Sequence, residues 1–145
     1  MIAATLCSPP VDGGFKGLWY LAHPYSGDED ANVADSLRVM AECYRRGYET
    51  FNPLAHTPRL CAAYPDLEKA RGRQMWYDWC LRFIHRTYWD GLILCPGWED
   101  SHGCRLEWRA FILLQQKARK GGSTGPRILE LASVLAEPVD PRFEE

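Results

Sequence analysis

Hydrophobic and polar positions along the chain form two patterns, one typical of buried strands and one typical of amphipathic helices. The segment from Gly17 to Ala22 reads GLWYLA, a continuous apolar run whose length fits a strand buried on both faces of a parallel sheet. From Asn32 to Arg46, apolar residues recur at helical spacing on one face, beginning with Val33 and ending with Tyr44. The first part of the chain is therefore predicted to form a strand followed by a helix.

The same two patterns continue toward the carboxyl terminus. Short apolar runs predict strands from Tyr48 to Asn52 and from Gly91 to Cys95. Helical spacing predicts helices from Asp66 to about Thr87 and from about His102 to Arg119. The prolines between Pro53 and Pro65 predict an irregular loop.

Strands that alternate with helices in this way predict an α/β fold with a mostly parallel sheet flanked by helices. The later segment RILELASVLA, from Arg127 to Ala136, fits either a last strand or a short helix. A length of 145 residues favours a single domain over residues 1–145, with an irregular lead-in over residues 1–15 and an irregular tail over residues 137–145.

Composition and charge argue against two classes of partner, nucleic-acid polymers and membranes. The chain is 46% hydrophobic and 25% charged, which is ordinary for a globular protein. A net charge of −2 and the lack of a long basic run argue against binding to a nucleic-acid polymer, so any bound phosphate is expected on a small molecule. No apolar run approaches the length of a membrane span, and the opening residues lack a basic region and a long apolar stretch, so neither a membrane span nor a secretory signal is expected.

The six cysteines form no Cys-X-X-Cys pair, which favours free thiols in a reducing cytoplasm. A zinc site built from Cys95, His102 and Cys104 has a spacing that matches no strong ligand pattern, so no metal is expected. Neither a Gly-X-Gly-X-X-Gly motif nor a P-loop is present, so no cofactor is expected either.

The polar loops after the first and third predicted strands carry the candidate chemistry, because ligands of parallel sheets bind outside the carboxyl ends of the strands. In SHGCRLE, Ser101 can cap a helix whose free N–H groups would hold an anion, and Gly103 lets a ligand approach the backbone. Glu107 follows about a turn and a half later and can lean back toward the same spot. The simpler interpretation is a capped helix with a surface glutamate.

Four other positions are candidates. Asp78 lies among aromatic residues of a predicted helix and could pair with Glu107 for glycosidic chemistry, although most helical aspartates are solvated. His23 and Tyr25 follow the first strand, where Tyr25 could stack on a base and His23 could equally be an ordinary loop residue. Asp90 opens a strand, where a backbone cap or turn is the simpler role.

Two stretches, YLAHPYSG and YDWCLRFIHRTYWDGLILCPGWEDSHGCRLEWRAF, make the chain resemble the nucleoside 2-deoxyribosyltransferase-like superfamily, which includes the 2′-deoxynucleoside 5′-monophosphate N-glycosidases and uncharacterised bacterial and phage relatives. The resemblance covers roughly Leu18 to Leu114, with the middle loop poorly matched. The chain departs from the superfamily at EWRAF, where larger side chains fill small positions, and at His23, which replaces a residue that is often small.

The resemblance implies a Rossmann-like or flavodoxin-like sheet, a homodimer or homotetramer, and a nucleoside or nucleotide as the small-molecule partner. It implies that Glu107 is the catalytic nucleophile and that Asp78 and Tyr25 assist it. Ser101 and Gly103 would hold the 5′ end of the sugar, and the same site would include His23, Pro24 and Asp90 as substrate-binding residues.

Three functions are open at this point. The expected one is cleavage or transfer of the N-glycosidic bond of a (deoxy)nucleoside or its 5′-monophosphate through a glycosyl-enzyme intermediate. The alternative is a non-catalytic module of the same fold that binds or senses a nucleotide. A third possibility is a partner-binding protein that uses its six tryptophans as an interface.

Overall fold

Four parallel strands form one sheet in a computed structural model that describes residues 14–144. The strands are β1 (Leu18–Ala22), β2 (Glu49–Phe51), β3 (Gly91–Leu94) and β4 (Arg127–Glu130). Their order across the sheet is β2-β1-β3-β4, so that the two apolar runs predicted from the sequence, β1 and β3, are the central strands. The α/β fold with a parallel sheet is thereby confirmed, and it is Rossmann-like.

Six helices connect and cover these strands within the described residues: α1 (Glu29–Tyr44), α2 (Thr57–Ala63), α3 (Pro65–Arg71), α4 (Gln74–Arg86), α5 (His102–Lys120) and α6 (Leu131–Leu135). Short 3-10 turns occupy Pro53–Ala55, Trp98–Asp100 and Pro141–Phe143. None of the helices between residues 14 and 144 combines the length and the apolar character needed to cross a membrane.

Side chains of the central strands alternate between two hydrophobic cores, because successive residues of a strand point to opposite faces. Tyr20 and Leu92 face α4 and α5, and they pack with Phe111 of α5. Trp19 and Ile93 face the opposite side, which α1 and α6 cover. Helices on both faces explain why these strands are apolar throughout rather than alternating.

Three predicted boundaries differ from the structure. Helix α1 begins at Glu29 instead of Asn32, because the Asp28 carboxylate accepts a hydrogen bond from the backbone N–H of Ala31 (3.2 Å) and caps the helix there. The prediction of an irregular loop from Pro53 to Pro65 is wrong, since a 3-10 turn and α2 lie inside it. Their prolines occupy the first turn of each element, where a missing N–H is tolerated.

The long helix predicted from Asp66 to Thr87 is also wrong, because the segment forms α3 and α4. The break occurs at Gly72, which has φ +67° and ends α3 in a conformation that few other residues adopt. The segment from Arg127 to Ala136, for which the sequence allowed either a strand or a short helix, contains both: β4 leads directly into α6. Residues 1–13 of the expected lead-in, with Cys7, and Glu145 of the expected tail lie outside the described residues.

Candidate active site

A cavity of about 680 Å³ opens at the carboxyl ends of the central strands. Its walls come from the loops that follow β1 and β3 and from helices α1, α4 and α5. The volume falls within the range of small-molecule sites, and the position matches the general rule for ligand binding by parallel sheets. The two polar loops singled out in the sequence therefore meet at one site.

Glu107 lines this cavity from α5 and is only 9% exposed. The hydroxyl group of Tyr20, which is fully buried on β1, donates a hydrogen bond to Oε2 of Glu107. No lysine, arginine or histidine forms an ion pair with Glu107 in the described part of the chain. A buried carboxyl group without a cation is expensive to keep, which is typical of a functional residue.

Burial raises the pKa of Glu107 to about 8, and the hydrogen bond from Tyr20 opposes that rise. Burial and the neighbouring carboxyl group raise the pKa of Tyr20 well above its ordinary value, so Tyr20 stays a hydrogen-bond donor. The pair therefore consists of a permanent donor and a carboxyl group that titrates near neutral pH.

Two cysteine thiols, from Cys80 on α4 and Cys104 on α5, also line the cavity. Burial raises the pKa of each thiol to about 12, and the nearby Glu107 adds to the rise. A thiol that stays protonated is a poor nucleophile, so these side chains form a neutral wall beside the carboxyl group.

Ser101 caps α5 as predicted, and its hydroxyl group accepts a hydrogen bond from the backbone N–H of Cys104 (3.3 Å). Both Ser101 and Gly103 line the cavity. The space beside Gly103 is limited, because a methyl group placed there would lie 3.3 Å from the Tyr77 ring. A ligand that reaches the start of α5 therefore meets its free N–H groups and the edge of this ring.

Tyr25 lines the cavity next to Trp76 of α4, with ring centroids 5.1 Å apart. The guanidinium group of Arg73 lies over both rings, 5.1 Å from the centroid of Tyr25 and 5.5 Å from that of Trp76. The Arg73 guanidinium also forms an ion pair with Glu29 (2.6 Å). Burial, together with the Glu29 carboxylate, raises the pKa of Tyr25 to about 12.

His23 and Pro24 lie on the same cavity, at the end of β1. The imidazole Nε2 of His23 is 2.7 Å from Oδ2 of Asp35, and Nδ1 is 2.7 Å from the carbonyl oxygen of Pro24. Asp35 also accepts hydrogen bonds from Arg38, at 3.0 and 2.8 Å. The His23 and Arg38 side chains together hold the pKa of Asp35 below its usual range.

Two predicted site residues do not lie at the cavity. Asp78 belongs to α4 but is not among the residues that line the cavity. Its carboxylate accepts a hydrogen bond from Gln74 (2.9 Å) and lies 3.8 Å from Arg71. Its expected convergence with Glu107 is wrong, because on this helix the neighbouring positions Tyr77 and Cys80 face the cavity instead.

Asp90 precedes β3 and therefore lies at the amino ends of the strands, opposite the cavity. Its carboxylate accepts a hydrogen bond from the backbone N–H of Leu18 (2.8 Å) and so ties the starts of β1 and β3 together. Asp90 does not line the cavity, and the backbone role is the one observed.

The residues that sequence reasoning missed are Tyr20, Asp35 and the aromatic–cation group of Arg73 and Trp76. Tyr20 is the one polar-tipped side chain in the buried face of β1 that points to Glu107, and a phenol hydroxyl buried in a strand needs a partner. That need was a usable signal in the sequence. Asp35 carried no comparable signal, since it falls on the polar side of α1.

The described cysteines are free, and they form no metal site with neighbouring side chains. Cys43, Cys61, Cys80, Cys95 and Cys104 are free and buried, and among residues 14–144 no cluster of three or more His, Cys, Asp or Glu side chains could hold a metal ion. His102 contacts the edge of the Tyr77 ring instead (centroids 5.3 Å apart).

Comparison with known proteins identifies the family of the chain. A search of curated proteins found no similar sequence. A sequence model described as "Domain of unknown function (DUF1937)" matches residues 17–120, from β1 through α5. That span exceeds half of the chain and includes every residue that lines the cavity except Leu131. The protein therefore belongs to this DUF1937 family.

Proposed function

We propose that the protein cleaves or transfers the N-glycosidic bond of a (deoxy)nucleoside or its 5′-monophosphate, with Glu107 as the nucleophile. The observation that carries the proposal is the pair formed by Glu107 and Tyr20 in a small-molecule-sized cavity. The resemblance of the two motif stretches to the nucleoside 2-deoxyribosyltransferase-like superfamily supports it. The DUF1937 family description names no activity.

The reaction has two steps. In the first, an ionised Oε atom of Glu107 attacks C1′ of the sugar, and the C1′–N bond breaks with its electron pair leaving on the base. In the second, water or another base attacks C1′ and releases Glu107 as a carboxylate. The Tyr20 hydroxyl keeps its hydrogen bond to Oε2 throughout and orients the attacking carboxylate.

The pKa of about 8 has a consequence for this chemistry, because only about a tenth of the Glu107 side chains are ionised at pH 7. The reactive carboxylate is poorly solvated and unpaired by a cation. It is therefore stabilised most by positive charge that develops on the sugar ring in the transition state. We expect activity to rise with pH toward 8 for this reason.

Two walls of the cavity suit the two ends of a nucleoside. The start of α5, with Ser101 and Gly103, suits a 5′-hydroxyl or 5′-phosphate group, because free N–H groups and the helix dipole favour anions and acceptors. The ring of Tyr25 lines the cavity and is only partly buried, so it suits contact with a base, whereas Trp76 is 8% exposed and packs behind it.

The alternative is a nucleotide-binding or sensing module without chemistry. One observation favours it: Asp78 points to Arg71 and Gln74 and brings no second carboxylate to the cavity. Under this alternative the protein binds a nucleotide and leaves it intact, whatever the state of Glu107.

The first experiment incubates the purified protein with deoxynucleosides, ribonucleosides and their 5′-monophosphates, with and without an added acceptor base, and follows free base by chromatography. We expect base release by the wild type and its loss in Glu107→Gln. Glu49→Gln is the matched control, because Glu49 is an exposed glutamate at the start of β2, away from the cavity. If a nucleoside or nucleotide binds but no combination of substrate and acceptor base gives free base, the result would support the alternative.

We also propose a cytoplasmic location and a homodimer or homotetramer. The buried free thiols fit a reducing compartment. Light scattering of the purified protein tests the oligomeric state, and a monomeric mass would contradict that part of the proposal.

A further inference from the structure

The imidazole of His23 has a hydrogen-bond acceptor at each ring nitrogen. Nδ1 is 2.7 Å from the carbonyl oxygen of Pro24, which can only accept, and Nε2 is 2.7 Å from a carboxylate oxygen of Asp35. Asp35 remains a carboxylate, because His23 and Arg38 hold its pKa low. An imidazole ring with hydrogen on both nitrogens is an imidazolium ion, so this pair holds a transferable proton at the cavity wall.

The His23–Asp35 pair and Glu107 lie on opposite sides of the strand ends. Asp35 belongs to α1, which covers the face of the sheet with Trp19 and Leu21. Glu107 belongs to α5, which covers the face with Tyr20. The cavity includes both groups and so extends across the ends of the strands between them.

We propose that the His23–Asp35 pair donates a proton to the departing base, an inference that rests on the proposed function. A nucleophile and a leaving group occupy opposite faces of C1′ in a displacement, which matches a carboxylate on one side of the cavity and a proton donor on the other. Because Asp35 is 46% exposed and His23 only 6%, the proton reaches the base through Asp35.

The proton balance closes over the two steps. As Glu107 bonds to C1′ and the C1′–N electron pair moves to the base, the proton moves from Nε2 of His23 through Asp35 to a ring nitrogen of the base. When water then attacks C1′, its proton returns to the pair and Glu107 departs as a carboxylate. The net reaction converts a nucleoside and water to a free sugar and a neutral base, with no further reactant.

Other titratable groups around the cavity fit this role less well. The Cys80 and Cys104 thiols have pKa values of about 12 and are weak donors. Asp100 and His102 line the cavity beside the start of α5, on the side from which Glu107 attacks. Two guanidinium groups also line the cavity, that of Arg38, which donates hydrogen bonds to Asp35, and that of Arg73 at the start of α4, and neither releases a proton at neutral pH.

The test compares bases that need a proton to leave with bases that do not. His23→Gln keeps an N–H donor toward Asp35 but cannot give up a proton. On natural purine nucleosides its kcat/KM is expected to fall by about 100-fold or more, the usual size of general acid catalysis. On an N7-methylated purine nucleoside, whose base departs without protonation, the loss should be under about threefold. If the wild type prefers pyrimidine nucleosides, the comparison uses a series of pyrimidine nucleosides with halogenated bases, whose bases differ in how readily they leave without a proton.

Asp35→Asn is the second variant, and Asp30→Asn on the same helix is its matched control, since Asp30 is exposed and does not line the cavity. Asp35→Asn should reproduce the leaving-group dependence and Asp30→Asn should not. Equal losses on both kinds of base, or no loss on either, would overturn the proton-donor role while leaving the proposed function standing. Failure of the wild type to release even an activated base would instead overturn the proposed function.

Discussion

Replacing Glu107 by glutamine tests the buried carboxyl group without reference to any substrate. Glutamine has nearly the shape of a protonated glutamate, and its carbonyl oxygen can still accept the hydrogen bond from Tyr20. It removes the ability to ionise. The substitution therefore isolates the free energy of holding a titratable group in this position.

The size of the effect follows from the pKa of Glu107, which is about 8 in the folded protein against 4.5 as the ordinary value. Between those values the folded protein holds a proton that the unfolded chain has released, so the stabilisation present below pH 4.5 is lost as the pH rises toward 8. Each pH unit in this window costs about 1.36 kcal/mol at the most. From pH 5 to pH 7, Glu107 should lower the free energy of unfolding by about 2 to 3 kcal/mol.

Urea denaturation of wild type, Glu107→Gln and the control Glu49→Gln at pH 5, 6, 7 and 8 measures this effect. At each pH, the free energy of unfolding of wild type is subtracted from that of Glu107→Gln, so that the contributions of the other titrating groups cancel. We expect Glu107→Gln to match wild type closely at pH 5 and to be more stable by about 2 to 3 kcal/mol at pH 7. A difference that does not change with pH, or a variant that is less stable at pH 7, would refute the conclusion that burial raises the pKa of Glu107.

Other variants test the rest of the site. Tyr20→Phe removes the hydrogen bond that favours ionised Glu107, so base release at pH 7 should fall and its rise should shift to higher pH, as a pH profile of kcat/KM shows; an unchanged profile contradicts this. Asp78→Asn should change base release by less than about threefold, since general acid or base roles contribute about 100-fold or more; a 100-fold loss would restore its catalytic role. Asp90→Ala should lower the free energy of unfolding by about 0.5 to 1.5 kcal/mol, because the N–H of Leu18 exchanges an exposed hydrogen bond to Asp90 for one to water, and should leave substrate KM unchanged. Ser101→Ala should cost about 1 kcal/mol of stability in urea denaturation through loss of the helix cap and should raise KM, and an unchanged KM would contradict its role in holding the 5′ group.

The fold was predictable because its strongest signals are local. Apolar runs such as Gly17 to Ala22 have few alternatives to a buried strand, and the helical register of α5 placed Ser101 and Glu107 correctly relative to each other. The Pro53–Pro65 segment misled because proline is compatible with the first turn of a helix as well as with a loop. A helix and a loop differ here only in where each proline falls within the element, which the sequence alone does not show.

Features of the site that lie within one helix were predictable from the sequence, whereas contacts between two elements were not. The contact between Tyr20 and Glu107 joins residues 87 positions apart, and it depends on how α5 packs on β1. Asp78 was misplaced because its apolar surroundings along the sequence do not say which way it points around the helix. Asp90 could have been excluded, since a residue that precedes a parallel strand lies at the edge opposite the ligand site.

In the proposed reaction, Glu107 forms a covalent bond to C1′ of the sugar. The most direct measurement is the mass of the intact protein, acid-quenched within seconds of mixing with each nucleoside and nucleotide of the panel, followed by peptide mapping. We expect a mass increase of one glycosyl group on the peptide that contains Glu107, and no increase in Glu107→Gln. Base release by the wild type with a label on another residue, or with no label under any quench condition, would contradict it.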